Sequence, residues 1–231
     1  MSGHSKWATT HRQKAIVDAK RGAIFTKIGN QIAIAARGGT DPATNSALAM
    51  AIEKAKAANM PNANIQRAID RVNDKNAAAL EEVTYEAYGP GGVGIIVEAA
   101  TDNKNRTYPE IRTALTKNGG TMADAGSVMF QFTRKGVIRV AATGEDALLQ
   151  VLDAGAEDAV EESGGLTVYT DMKDLAKVRA ALVQAGLNVE DAELQYVANN
   201  DVPVDDIETA RKLMKVLDAV EELDDVTNVH T

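Results

Sequence analysis

The chain has 231 residues, 45% of them hydrophobic and 25% charged, and a formal net charge of -8, the profile of an ordinary globular protein rather than a disordered or fibrous one. It holds no run of about 18 apolar residues that could form a transmembrane helix, and its start lacks the apolar stretch of a secretory leader. It has no cysteine, which excludes disulfides, thiolate catalysis and cysteine metal sites and fits a reducing compartment.

The charge is unevenly placed. Residues 1–75 carry twelve Lys/Arg against five acids, a net +7, while the remainder carries thirteen against twenty-eight, a net -15. That asymmetry suggests a basic module joined to an acidic body. On charge alone, nucleic-acid contact and a solvated helical surface are both open.

Residues 1–12 mix Gly, His, Ser, Lys and Thr with no apolar period and read as a flexible arm. From about residue 13 to 36 the pattern is helical, with Ile24, Ile28 and Ile32 at four-residue spacing and Ala35 extending the stripe; Gly38-Gly39 stops it. A second helix, capped by Asn45 or Ser46, buries Leu48, Ile52 and Ala55. Pro61 breaks it. A third begins near Asn62 and buries Ile65, Ala68, Ile69 and Val72. Three amphipathic helices with short breaks predict a small bundle.

The period then changes to two. "VTYEAYG" and "VGIIVEAATD" read as strands joined by "GPGG". "TYPEIRTALTKNGG" reads as a helix capped by Thr107, with Glu110 completing a capping box and Pro109 in the first turn. "SVMFQFTRKGVIRVAA" predicts two strands around an Arg-Lys-Gly turn. From there the order is strand (136–142), helix (145–154), strand (157–162), strand (166–170), helix (172–185) and strand (190–198), the ferredoxin-like β-α-β-β-α-β pattern. A last helix carries Ile207, Ala210, Leu213, Leu217 and Val220, and the short strand "DVTNV" follows it.

The predicted fold class is therefore α+β, with an N-terminal helical bundle followed by two α/β domains built of ferredoxin-like sheet-and-helix layers, the third inserted in the second. The expected boundaries are 1–76 for the arm and bundle, 77–129 with 202–231 for a discontinuous middle domain, and 130–201 for the inserted one. Each sheet is expected to carry helices on one face.

Residues that would carry catalysis do not assemble in the sequence. His4, His11 and His230 lack metal-ligand spacing, and no Ser sits in a G-x-S-x-G elbow. "YGPGGVG" resembles a phosphate loop, but such a loop follows a strand and opens a helix. Here it opens a strand, so a tight hairpin is the preferred reading. No cofactor, metal or small-molecule substrate is expected. "TDNKNRT" puts Lys104 and Arg106 at a polar turn, either as a plain loop or as a phosphate contact beside a helix N-terminus.

A basic arm can lie along a phosphate backbone and release counterions. Lys6, Arg12, Lys14, Lys20 and Arg21 are the first candidates. Trp7, the only tryptophan, could stack on a base or pack onto the bundle. Lys54, Lys56, Arg67 and Arg71 could extend the patch or be solvated helix positions. No groove-reading helix can be assigned.

Five blocks, "GHSKWA", "DAKRGAIFTK", "AIEKAKAANMPNANIQRAI", "YEAYGPGGVGIIVEAATDNKNRT" and "GSVMFQFTRKGVI", resemble the YebC family in order and over nearly the whole chain. The resemblance implies a cytoplasmic three-domain protein that binds nucleic acid without catalysis. Members of that family are described as probable transcriptional regulatory proteins; relatives include a quorum-sensing regulator and the mitochondrial translational activator of cytochrome c oxidase. Some are described as DNA-binding regulators. Others are described as ribosome-associated factors that assist translation through sequences such as proline runs. The basic residues that match are Lys6, Lys14, Lys20, Arg21, Lys27, Lys54, Lys56 and Arg106. The chain departs from the family pattern at "NSALA", where "NPRLR" is usual, so Ala47 and Ala49 replace basic residues. Asn62 and Asp70 stand where Lys is common. This shifts the expected contact toward the arm and first helix. The expected partner is DNA or ribosomal RNA, with the ribosome itself as the alternative target. A nucleotide-binding enzyme or a protein adaptor with an acidic docking body are the rival readings.

Overall fold

A computed structural model describes residues 17–74, 78–162 and 164–231, with backbone only over 17–21. It is mixed helix and sheet, as the change of period predicts. The described residues fall into two compact units, one running to Phe132 and resuming at Ala198, the other Thr133–Val197 inserted within it.

The first unit opens with α1 (Val17–Ala36), α2 (Ser46–Ala57) and α3 (Asn62–Asp70). Their apolar stripes meet in a core of Ile28, Ile32, Ala36, Leu48, Ala55, Met60, Ile65 and Ile69. Asn45 fixes the α1–α2 corner. Its Oδ1 accepts from the Leu48 N–H at 3.1 Å, while its Nδ2 donates to the carbonyls of Ala35 and Gly39 at 2.7 and 2.8 Å. One side chain thus caps the start of α2 and satisfies orphan carbonyls at the end of α1. Val72 does not join the core. The chain tightens to a 3-10 turn at Arg71–Asn73, whose three-residue period rotates Val72 out of the stripe, and it is 40% exposed.

Next come β1 (Glu81–Tyr88), the hairpin turn Pro90–Gly92, β2 (Gly94–Thr101), α4 (Lys104–Asn118) and β3 (Thr121–Met122); α7 (Ile207–Glu221) and β8 (Val226–His230) complete this unit. The sheet order is β3-β1-β2-β8, antiparallel throughout. The chain's last helix and strand therefore complete a layer that residues 81–122 begin. Against one face α4 and α7 bury Ile95, Val97, Ile111, Leu115, Leu213, Val216 and Val220. The sheet is not bare behind: Ile96 and Ala100 are fully buried too, and α1 runs against β2 and β8. Ile207 is 66% exposed at the first position of α7, outside this core.

α4 begins three residues before the predicted cap. Asn103 is the N-cap, its side chain accepting from the Arg106 N–H, so Thr107 lies inside the helix and is buried. Pro109 falls within the helix rather than in its first turn.

The second unit holds most of β4 (Phe132–Val140), then α5 (Glu145–Asp153), β5 (Asp158–Glu162), β6 (Gly165–Thr170), α6 (Leu175–Gln184) and β7 (Val189–Ala198). Its order β5-β6-β4-β7 is the ferredoxin-like arrangement. The expected Arg-Lys-Gly turn is absent: a short turn at Met129–Gln131 precedes one continuous strand. Gly136 serves close packing instead of turning. A Cβ there would lie 2.2 Å from Thr170 Oγ1 and 2.9 Å from Leu175 Cβ.

Candidate nucleic-acid interface

The sequence places the densest positive charge before and along α1. Lys6, Trp7, Arg12 and Lys14 lie outside the described residues, and for Lys20 and Arg21 only the backbone, on α1, is described. Lys27 is partly buried, its ammonium donating to the Glu221 carbonyl at the end of α7. A cation at a helix C-terminus satisfies an orphan carbonyl and the negative end of the helix dipole, so Lys27 also joins α1 to α7. Lys54 and Lys56 occupy the last turn of α2, where the same dipole favours them; Lys56 is exposed and Lys54 half-buried. Arg67 folds back along α3, donating from Nε to the Ala63 carbonyl and from Nη2 to Asn64 Oδ1. Ala47, Asn62 and Asp70 are exposed and Ala49 half-buried, so all four positions lie outside the helical core.

The second candidate cluster, Lys104 and Arg106, sits at the start of α4, and each cation faces carboxylates. Lys104 Nζ is 2.6 Å from Glu81 Oε2. Arg106 Nη2 is 2.7 Å from Asp225 Oδ2 and 3.2 Å from Asp102 Oδ1. Asp225 Oδ2 also accepts from Thr107 Oγ1 at 2.6 Å and Thr101 Oγ1 at 3.0 Å. Burial opposes its ionisation, but the hydrogen bonds from Thr107, Arg106 and Thr101 outweigh that and hold its carboxyl below the ordinary carboxylate range. The loop is thus a joint that fastens β2, α4 and the approach to β8. Positions 106 and 225 lie 119 residues apart, so no local spacing announces the pair.

Reading residue by residue passed over the outer face of α4. Tyr108, Pro109, Arg112, Thr113, Thr116 and Lys117 line an open groove there. The signal was present: Ile111 and Leu115 point inward, so Tyr108, Arg112 and Thr116 at four-residue spacing share a different side.

The glycine segment is settled by its flanks. It joins antiparallel β1 and β2, with Tyr88 paired to Gly94, and Gly91 and Gly92 take φ of 80° and 76°, which favour glycine. It opens a strand rather than a helix and lacks the N-terminal amide cluster of a phosphate loop. Among the described residues no helix is long and apolar enough to cross a membrane.

Residues 5–75 match the model of the TACO1/YebC protein N-terminal domain, and residues 80–231 match that of the TACO1/YebC second and third domain. The chain belongs to the TACO1/YebC family. It is 50% identical over 235 residues to a "probable transcriptional regulatory protein" of Salinispora tropica, spanning 99% of this chain and 94% of that protein. It is 47% identical over 237 residues to one so named from Mycolicibacterium smegmatis, spanning 100% of this chain and 94% of the relative. The crystal structure of a conserved hypothetical protein from Aquifex aeolicus superimposes with a TM-score of 0.88 at 41% identity, covering 93% of this chain and 90% of that one.

Proposed function

We propose that this TACO1/YebC protein is a non-enzymatic, nucleic-acid-binding regulator of gene expression that acts on DNA; its relatives called probable transcriptional regulatory proteins support the regulatory part of that reading. The observation that carries the reading is the split of charge: +7 over the first 75 residues and -15 over the rest. A surface that neutralises phosphates gains affinity by releasing counterions. An acidic body repels the same polymer and so confines contact to the basic end. The binding residues in this reading are Lys6, Arg12, Lys14, Lys20 and Arg21, with Trp7 beside them and Lys56 extending the patch. Lys54 adds positive potential from the last turn of α2, and Lys27, Lys104 and Arg106 do so while holding their structural contacts.

A second reading, a ribosome-associated translation factor, is favoured by one feature. Arg67 lies back along α3 on Ala63 and Asn64, and Asp70 on the same helix accepts from Gln66 at 2.9 Å. That helix does not offer a row of base-reading side chains for a major groove, whereas structured RNA is recognised by shape and backbone. Titration of the purified protein against duplex DNA and against ribosomes over a salt series separates the two. Sequence-dependent DNA binding that survives physiological salt supports the transcriptional reading. Ribosome binding that survives while DNA binding fades supports the translational one. Binding to neither rejects both.

A further inference from the structure

The outer face of α4 combines three properties. The first is charge: α4 carries Lys104, Arg106, Arg112 and Lys117 against one acid, Glu110, in a chain whose net charge is -8. Lys104 and Arg106 face carboxylates. The guanidinium of Arg112 and the ammonium of Lys117 make no ion pair or hydrogen bond among the described residues, and both project from the solvent side. The second is an aromatic ring. Tyr108 is 41% exposed and leans on Tyr85, with ring centroids 6.0 Å apart and planes 53° apart. Tyr85 in turn packs against the sheet-and-helix core, so one side of the Tyr108 ring is braced. The third is shape: Tyr108, Pro109, Arg112, Thr113, Thr116 and Lys117 line a shallow, open groove along one side of α4, which leaves the ring and both cations accessible together.

An exposed, braced ring flanked by unpaired cations fits one chemistry best. Unpaired bases stack on aromatic side chains and on guanidinium planes, while nearby Lys and Arg meet the phosphates. Duplex bases are already stacked and cannot use the ring. We propose that this face of α4 is a second nucleic-acid contact, in which an unpaired nucleotide stacks on Tyr108 and its flanking phosphates meet Arg112 and Lys117. The inference rests on the nucleic-acid reading above and deepens it: the basic N-terminal portion supplies non-specific attraction, and α4 selects for single-stranded character.

The test uses the full chain and three fluorescein-labelled probes: a short oligo-uridylate, an oligo-thymidylate of equal length, and a duplex of that length. Tyr108→Ala should weaken binding of both single strands about tenfold, the loss of one base–aromatic stack, and leave the duplex unchanged. Tyr108→Phe keeps the ring and should bind as wild type. Arg112→Gln with Lys117→Gln leaves the Tyr85–Tyr108 packing in place; it should weaken single-strand binding and lower the salt slope by about 1.4, the value for two phosphates on a single strand. Photocrosslinking with an oligo-uridylate carrying 5-iodouridine should label Tyr108. Unchanged single-strand affinity in both the Ala and the double Gln variants, while wild type binds, would overturn this contact and leave the proposed function standing. A wild-type protein that binds none of the three probes would overturn the function itself.

Discussion

Two carboxylates show what single residues do here. Asp225 gathers Arg106, Thr107 and Thr101. Glu86 accepts the backbone N–H groups of Gly126, Val128 and Met129 at 2.5, 2.6 and 2.7 Å, which fixes the loop leading to β4. Burial of Glu86 raises its carboxyl, but the three backbone bonds outweigh burial and leave it below the ordinary range. Each folded carboxyl thus titrates below its unfolded value. Its stabilising contribution is complete above the unfolded value and disappears as pH falls through the folded one. The protein should therefore lose stability on acidification below about pH 4, the unfolded carboxylate range. Asp225→Asn should cost about 2 kcal/mol at neutral pH, the scale of hydrogen bonds to a charged group, and should flatten that acid limb. Urea unfolding at pH 7 and at pH 3 measures both; a variant with the wild-type pH dependence would show that Asp225 is not a source of it. Neither cluster was legible in the sequence, because residues 40 to 124 positions apart meet only once the sheet has formed.

At the scale of elements, local signals were reliable where the local chain decides the outcome. The α1–α3 stripes up to Ile69, the β1–β2 hairpin and the alternation of strand and helix from 136 to 198 follow from period and turn residues alone. They misled where tertiary contact decides. The start of α4 is set by Asn103 because Thr107 is drawn inward to Asp225, although Thr-Tyr-Pro-Glu carries every local mark of a helix start. Arg134-Lys135-Gly136 reads as a turn until a neighbouring strand and helix approach. There Lys135 pairs with Glu157 at 3.1 Å and Arg134 lies 5.4 Å over the Tyr196 ring, as strand residues do. Two substitutions test these accounts by denaturant unfolding. Gly136→Ala should destabilise by about 1–3 kcal/mol, as overpacking does; a neutral result would mean that Thr170 and Leu175 yield freely. Asn45→Ala should cost about 1–2 kcal/mol, the upper part of the N-cap range, because it removes both the cap of α2 and the bonds to the end of α1. Asn45→Asp, which keeps the acceptor and loses the donors, should fall between.

For the whole molecule, the same sequence that builds two helix-covered sheets distributes its charge so that one end is cationic and the rest anionic. That distribution was legible at once, since counting needs no contacts. Which cations are committed was not: Lys27 to the end of α7, Lys104 to Glu81 and Arg106 to Asp225 emerge only in three dimensions. The groove on α4 was hidden for the opposite reason, because Tyr108, Arg112 and Lys117 are unremarkable one by one and become a surface only on a helix of known phase. The central claim is that the cationic N-terminal portion is what meets nucleic acid, and its most direct test is the salt dependence of duplex binding by wild type and by a variant with Lys6, Arg12, Lys14, Lys20 and Arg21 changed to Glu. The account predicts a linear fall of log K with log salt for wild type at about 0.9 per phosphate contacted, and a large loss of both affinity and slope in the variant while its unfolding transition is unchanged. A folded variant that binds with wild-type affinity and slope would contradict it.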